Sequence, residues 1–232
     1  MTDQLKCWIC GGDADSREHL VKASDLKSMF GTGVTQSTPL YFHDSRSRNQ
    51  PVGGYKSKKL KYSPLICSHC NNVRTQSHDY AWEKLSEYLR TRNPPLRGGS
   101  TVKLSKVFTG RVRTSMLAVH LFFVKQFGCL IAQEKIPIPL EPFSKAILNG
   151  SPHPNVFIGF WAGLGPLGRK FAGRTQVEAA LLNGQVAYAA WFYHVGPIAV
   201  NVIYSLPGEH RVGLTRSWHP SFSERRIVIS ES

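Results

Sequence analysis

Two Cys-x-x-Cys pairs, Cys7-Trp8-Ile9-Cys10 and Cys67-Ser68-His69-Cys70, decide the fold of the first part of this 232-residue chain. Four of its five cysteines lie in these pairs. Two thiolates spaced in this way can reach one metal ion from a tight turn, and two such pairs complete a tetrahedral site of the structural zinc type. The sequence therefore predicts one zinc ion, bound by Cys7, Cys10, Cys67 and Cys70, that joins two distant segments.

Polar residues with hydrolytic chemistry follow both cysteine pairs. Arg17-Glu18-His19 comes after the first pair, and Asn71-Asn72 follows the second without a gap. The imidazole of His19 titrates near neutral pH and suits a general base for water. The oxygens of Glu18 and Asn71 suit a hard divalent ion such as magnesium. The zinc would bring these groups together, so the sequence predicts a hydrolytic metal site for phosphodiesters.

The charge of the chain favours a polyanionic partner. Its formal net charge is +14, from 29 basic and 15 acidic residues, and both halves of the chain contribute to the excess. Nucleic acid is the first expectation and an anionic membrane surface the second. Residues 31–59 are rich in Gly, Ser and basic side chains, and predict either a mobile basic loop over a substrate or a solvated insertion. The expected nucleic-acid contacts are Lys56, Lys58, Lys59 and Lys61.

The sequence predicts no signal peptide and no membrane span. Its first residues, Met1-Thr2-Asp3-Gln4, are polar and lead straight into the first cysteine pair. The longest apolar run, Met116–Ala132, contains His120 and Lys125, which indicates a buried helix. Paired cysteines without a secretory signal favour metal over disulfide, so a cytoplasmic protein is expected. The fifth cysteine, Cys129, is expected to be an inert core thiol.

Turn signals divide the chain into two predicted domains, 1–95 and 96–232. Asn93-Pro94-Pro95 ends a helix around Trp82, and a Gly-rich linker follows it. Within the first domain, Leu26–Phe30 predicts a short helix capped by Ser24 or Asp25. Leu60–Ile66 predicts a strand that leads into the second cysteine pair.

The second domain has the pattern of an α+β fold. Ser115–Gln133 predicts one long apolar helix, and Gln176–Leu182 a further helix. The predicted strands are Asn155–Trp161, Gln185–His194, Ile198–Ser205, Val212–Trp218 and Arg226–Ile229. The simplest arrangement packs the long helix on a mostly antiparallel sheet. The aromatic residues Trp161, Trp191, Phe192, Tyr193 and Trp218 stack on bases or pack in the core, and core packing is the expectation for most of them.

The order of these motifs resembles a known family. A Cys-x-x-Cys pair, then Arg17-Glu18-His19, then Cys-x-x-Cys-Asn-Asn is similar to the zinc-stapled branch of the HNH nucleases, which have the ββα-metal fold. The resemblance covers roughly residues 5–92. It implies that His19 is the general base and that Glu18 and Asn71 hold a catalytic Mg²⁺ or Mn²⁺. Four further residues are candidates to support this site: Asn72, Arg74, His78 and Asp79. Asp79 is also a candidate helix cap.

The sequence departs from the family at two places. Many relatives have Pro three residues after the histidine, where this chain has Lys22. The middle Asn of the family name usually lies on the strand before the last cysteine pair, and residues 61–66 contain none. Ser63 is the candidate that would orient the His19 loop instead.

The resulting hypothesis is a metal-dependent endonuclease that hydrolyses nucleic acid, DNA ahead of RNA. A zinc-stapled nucleic-acid-binding module without turnover is the alternative, and the two departures favour it. A third class is an interaction protein whose C-terminal sheet docks a protein partner. The sequence leaves the oligomeric state and the role of residues 96–232 open.

Overall fold

The computed structural model describes residues 5–162, 170–208, 214, 216–222 and 225–231. In these residues the chain forms four α-helices and nine strands. The helices are α1 (Ala23–Phe30), α2 (Gln76–Arg90), α3 (Val112–Glu134) and α4 (Glu141–Asn149). The strands are β1 (Leu40–Phe42), β2 (Gln50–Val52), β3 (Thr101–Lys103), β4 (Val156–Ala162), β5 (Ala172–Arg174), β6 (Glu178–Leu182), β7 (Gln185–Val195), β8 (Ile198–Ser205) and β9 (Arg226–Ser230).

Two extended segments, residues 16–20 and 60–66, run antiparallel between the cysteine pairs. Their backbone hydrogen bonds join Ser16 N to Ile66 O, Leu20 N to Leu60 O and Tyr62 N to Glu18 O, each at 2.9 Å. The pairing consists of single bridges rather than a regular strand ladder. The segment predicted as a strand, 60–66, is therefore extended but irregular, and α2 follows it after the second cysteine pair.

Asp25, one of the two residues predicted to cap α1, has another role. No side-chain hydrogen bond caps this helix, so the assignment of Ser24 or Asp25 as its cap is wrong. Asp25 is buried instead, and its carboxylate accepts hydrogen bonds from Trp82 Nε1 at 2.7 Å, Tyr193 Oη at 2.8 Å and Ser86 Oγ at 3.0 Å. Burial raises the pKa of Asp25. Its three donors come from α2 and β7, so Asp25 joins α1 to both.

The long apolar helix α3 lies between α2 and the sheet. Its length and composition would allow it to cross a membrane, but 78% of its most apolar stretch is buried inside the protein. Trp82 of α2 contacts Phe122 and Phe123, with ring centroids 5.6 and 4.8 Å away. Tyr193 of β7 contacts the same two rings at 6.0 and 5.8 Å. The prediction of a buried helix over this run is confirmed, and Cys129 within it is fully buried.

The sheet gives the second half its mostly antiparallel character. Seven strands lie in the order β3-β9-β4-β8-β7-β5, with β6 also paired to β7. Every pair is antiparallel except β4 with β9. The predicted α+β class is confirmed at this level. Trp191, Tyr193 and Trp218 are buried, in agreement with core packing.

The helix predicted at Gln176–Leu182 is wrong, because this segment forms β6. Asn183 and Gly184 have positive φ angles of 51° and 79° and form the tight turn between β6 and β7. An Asn-Gly pair between two strands is a strong hairpin signal, and it outweighs the weak helical pattern. Of the strand predicted at Val212–Trp218, residues 212, 213 and 215 lie outside the described residues, and Trp218 forms a bridge with Ile158.

Residues on both sides of the predicted domain boundary pack closely together. The Trp8 indole lies so close to Gly128 of α3 that a β-carbon would not fit there. Ser144 Oγ of α4 donates a hydrogen bond to Ile9 O at 2.6 Å. The first cysteine turn therefore rests on α3 and α4. The division into domains 1–95 and 96–232 stays a prediction.

Candidate functional site

The four predicted cysteines form one cluster. Their sulfur atoms all lie within 4.8 Å of one another, and Cys10 Sγ is 3.7 Å from Cys67 Sγ. Four thiolates at about 2.3 Å from a tetrahedral zinc ion would be about 3.8 Å apart, so the donor set fits this metal. Cys7 and Cys70 are buried and Cys10 is exposed, and all four thiols are free. Among the described residues, no other group of three or more His, Cys, Asp or Glu side chains is close enough to share an ion.

Polar contacts hold the two cysteine turns in register. Asp15 Oδ1 accepts hydrogen bonds from Ser68 N at 2.6 Å and from Ser68 Oγ at 3.0 Å. The backbone amide of Gly12 lowers the pKa of Cys10 to about 7. A thiol with this pKa is substantially ionised at neutral pH, which is the state that binds a metal ion. Burial raises the pKa of Cys7 and of Cys70, so these two thiols would be ionised by the metal ion itself when it binds.

A main-chain carbonyl fixes the tautomer of the His19 imidazole. Its Nε2 lies 3.0 Å from Tyr55 O. Because a carbonyl oxygen only accepts, Nε2 must carry the hydrogen, and Nδ1 keeps its lone pair. Burial lowers the pKa of His19 and outweighs the hydrogen bond to Tyr55 O and the Glu18 carboxylate, which both raise it. Nδ1 makes no hydrogen bond within the described part of the chain, so the ring has the tautomer and charge of a general base.

Glu18, the predicted metal ligand, is buried and already forms an ion pair. Its Oε2 lies 2.6 Å from the Nζ atom of Lys125, and its Oε1 accepts a hydrogen bond from the His19 amide at 2.8 Å. Burial by itself raises the pKa of Glu18, but attraction to the Lys125 ammonium outweighs it and holds this pKa below the usual range. The carboxylate is therefore ionised, but it faces an internal ammonium group. As folded, it does not fit a divalent ion.

Asn71 lies beside the segment that carries Glu18 and His19. Its Nδ2 donates hydrogen bonds to Ser16 Oγ at 2.9 Å and to Arg17 O at 3.5 Å. Its Oδ1 makes no hydrogen bond to any described residue. The second cysteine pair thus brings the Asn71 amide to residues 16–17, and leaves a neutral oxygen available to an ion. Its placement with Glu18 and His19 around one ion stays a prediction.

The residues predicted to support the site divide into two groups. Asp79 Oδ1 lies 2.9 Å from Lys125 Nζ, and Asp79 Oδ2 lies 3.3 Å from Lys22 Nζ. His78 is buried, and burial together with the Lys125 charge lowers its pKa to about 4. Asn72 is exposed and Arg74 is half-buried, and neither takes part in this ion-pair cluster. Ser63 does not orient His19, since its amide and hydroxyl both donate to Gln133.

Lys125 is the residue that the sequence analysis did not assign to the site. Its side chain is fully buried in α3 and bridges Glu18 and Asp79. Burial lowers the pKa of a lysine, but here the two carboxylates raise it above the usual value. A lysine inside an apolar helix needs a buried partner of opposite charge, and this requirement is the signal that was present in the sequence.

Two adjoining cavities lie beside the paired segments, and the predicted lysines line the first. This cavity has a volume of 360 Å³ and is lined in part by Lys58, Lys59 and Lys61. The second has a volume of 1280 Å³ and continues toward β5. Lys56 is exposed but lines neither cavity. Lys61 is the bridge partner of His19, and directly opposed residues of an antiparallel pair present their side chains on the same face.

Comparison with protein-family models, with curated proteins and with solved structures gives no match for this chain. A function for this chain therefore has to be inferred from the geometry of these residues and from its charge.

Proposed function

We propose that this protein hydrolyses phosphodiester bonds in nucleic acid, with His19 as the general base. The observation that carries the proposal is the hydrogen bond from His19 Nε2 to the Tyr55 carbonyl, which leaves Nδ1 unprotonated. In the step assigned to it, Nδ1 takes a proton from water while the water oxygen bonds to phosphorus and the bond to the leaving sugar oxygen breaks. The leaving oxygen takes a proton from solvent water. DNA stays the preferred substrate over RNA.

The order of the local elements also supports the proposal. Two antiparallel extended segments, 16–20 and 60–66, lead through the four-cysteine cluster into α2. This order agrees with a ββα-metal domain, in which zinc would have a structural role. The cluster keeps the segment with His19 next to Asn71, so the zinc would act on geometry and take no part in the reaction.

The divalent ion is the part of the hypothesis that the geometry supports least. Bound Mg²⁺ or Mn²⁺ would stabilise negative charge on the phosphate, and Asn71 Oδ1 suits such an ion. Glu18 does not, because Lys125 holds its carboxylate. Only the proton transfer to His19 is therefore assigned.

A second candidate function follows from this pair. The Lys125 ammonium occupies the place beside Glu18 that a divalent ion would need. A chain without that ion would bind nucleic acid through its basic surface without cutting it. The two candidates differ in turnover and agree in binding, so one pair of measurements separates them.

The His19→Ala variant is expected to cut supercoiled plasmid about two to four decades more slowly than the native chain, since a general base contributes roughly that factor. Nicking is followed with Mg²⁺ or Mn²⁺ present, and binding is measured in parallel. His69→Ala is the matched control, because His69 is exposed in the second cysteine turn. A native chain that binds DNA but nicks nothing with either ion would leave the binding module as the function.

Nucleic-acid binding is expected to be strongly salt-dependent. If four to six phosphates are contacted, affinity should fall by roughly two to three decades between 50 and 200 mM salt. Replacing Lys56, Lys58, Lys59 and Lys61 together with Ala should weaken binding and flatten this dependence. The matched control replaces four exposed basic residues at and before the start of α3, namely Lys103, Lys106, Arg111 and Arg113. An equal loss in both variants would show that net charge, rather than a site, binds the nucleic acid.

A further inference from the structure

The two cavities beside the 16–20 and 60–66 segments join into one groove. Both are lined by Leu20, Phe42, Asp44 and Gln133, so they share a boundary. The smaller end lies against Lys61, opposite His19, and the larger end reaches β5. His19 itself lines neither cavity, so the groove runs beside the segment that carries the imidazole.

Basic side chains line the groove at both ends. Lys58, Lys59 and Lys61 line the smaller cavity, and Arg46, Lys135 and Lys170 line the larger one. None of these six cations has an ion-pair partner among the residues that the structure describes. Of the two acids in the groove, Glu134 is paired with Arg174 at 3.0 Å, and Asp44 accepts hydrogen bonds from the Arg46 and Ser47 amides. The groove thus has an excess of positive charge, which fits a chain of phosphates.

The larger cavity also has apolar and aromatic walls. Tyr41 is 61% exposed and Phe171 is 38% exposed, and both line it. Leu26, Phe30 and Val177 provide further apolar lining. A duplex presents sugars and phosphates to a protein and keeps its bases stacked on one another, so this lining would contribute little to duplex binding. Unstacked bases, in contrast, stack on exposed aromatic rings.

We infer that this groove binds a single strand of nucleic acid, with its bases on Tyr41 and Phe171 and its phosphates on the six cations. The inference rests on the proposed function for the identity of the polymer, and it specifies the single-stranded form of the substrate. DNA and RNA strands share the chemistry that the groove recognises.

The test measures binding of fluorescein-labelled 20-nucleotide strands by anisotropy, with the His19→Ala variant used to prevent cleavage. The probes are one DNA strand, the RNA strand of the same sequence and the DNA duplex. Either strand, or both, should bind at least about tenfold more tightly than the duplex. Replacing Tyr41 and Phe171 with Ala should weaken strand binding by about thirtyfold or more, because each ring that stacks on a base contributes about a fivefold or larger factor. Duplex binding should stay unchanged.

Tyr80→Ala is the matched control, because Tyr80 is 59% exposed on α2 and lines neither cavity. Duplex binding equal to strand binding, or an equal loss in the Tyr80→Ala variant, would overturn the inference. Failure of this inference can be told apart from failure of the proposed function. A native chain that binds strands but cuts no nucleic acid would refute hydrolysis and keep the groove, whereas nicking of plasmid without strand preference would do the reverse.

Discussion

The Cys70→Ser variant is expected to lose its zinc and to unfold at least residues 1–92. Cys70 is fully buried, and its thiol belongs to the only described four-thiol cluster. Binding free energy at such a site becomes folding free energy, on the order of 10 kcal/mol or more for small zinc modules. The irregular pairing of the two extended segments cannot supply a stabilisation of this size. Zinc content by elemental analysis and thermal unfolding by circular dichroism would measure the effect.

Cys129→Ser provides the matched control for this experiment. Cys129 is also fully buried, but it lies in α3 outside the cluster. The control should keep about one equivalent of zinc per chain and lose only the few kcal/mol that a core substitution costs. Native protein that is folded, soluble and free of zinc would contradict the assignment of the cluster as a structural metal site.

Lys125→Met is expected to destabilise the protein by about 3–5 kcal/mol at neutral pH. The substitution keeps the length of the side chain but removes its charge, and it leaves the buried Glu18 carboxylate without a counter-ion. Removing one member of a buried ion pair costs this amount, because the remaining charge stays in a medium of low dielectric constant. Chemical denaturation of the native and variant proteins gives the difference.

The destabilisation should depend on pH in a defined direction. In the native protein the pKa of Glu18 is lowered, so its contribution to stability is present at neutral pH and is lost as pH falls through the folded-state value. In the variant, burial acts on Glu18 without Lys125 and raises the same pKa. Protonation then relieves the buried charge, so the stability difference should shrink as pH falls to about 4.

Lys145→Met is the control for Lys125→Met. Lys145 lies 2.6 Å from Glu141 one turn away in α4, but both side chains are exposed, and an exposed pair contributes little to stability. Glu18→Gln combined with Lys125→Met should recover part of the loss, since no charge is left unpaired at position 18. If the two lysine variants were equally stable, Lys125 would not be a buried counter-ion.

Much of the fold follows from local patterns in the sequence. The cysteine spacing predicts the four-thiol cluster, and a long apolar run interrupted by polar residues predicts the buried helix α3. The prediction failed where tertiary contacts decide the role of a residue. Asp25 has the position of a helix cap, but it accepts hydrogen bonds from Trp82, Ser86 and Tyr193 in the core.

The sequence predicts the position of a site residue only where the cysteine turns determine that position. Asn71 follows Cys70 directly, so the cluster itself brings its amide to residues 16–17. The pairing of Glu18 with Lys125 joins positions more than a hundred residues apart, and no spacing rule connects them. The sequence indicates that a lysine within α3 needs a partner, but the packing of α3 on the first part of the chain selects which carboxylate supplies it.

The carbonyl of Tyr55 that orients the His19 ring belongs to the main chain. Every residue type carries that group, so position 55 can change during evolution while the imidazole keeps its tautomer. What has to be inherited is the path of the backbone through residues 53–57, together with its length. Homologues should accordingly tolerate substitutions that leave this path unchanged far better than insertions or deletions. The placement of gaps would then be a better guide than residue identity when divergent relatives are aligned to this chain.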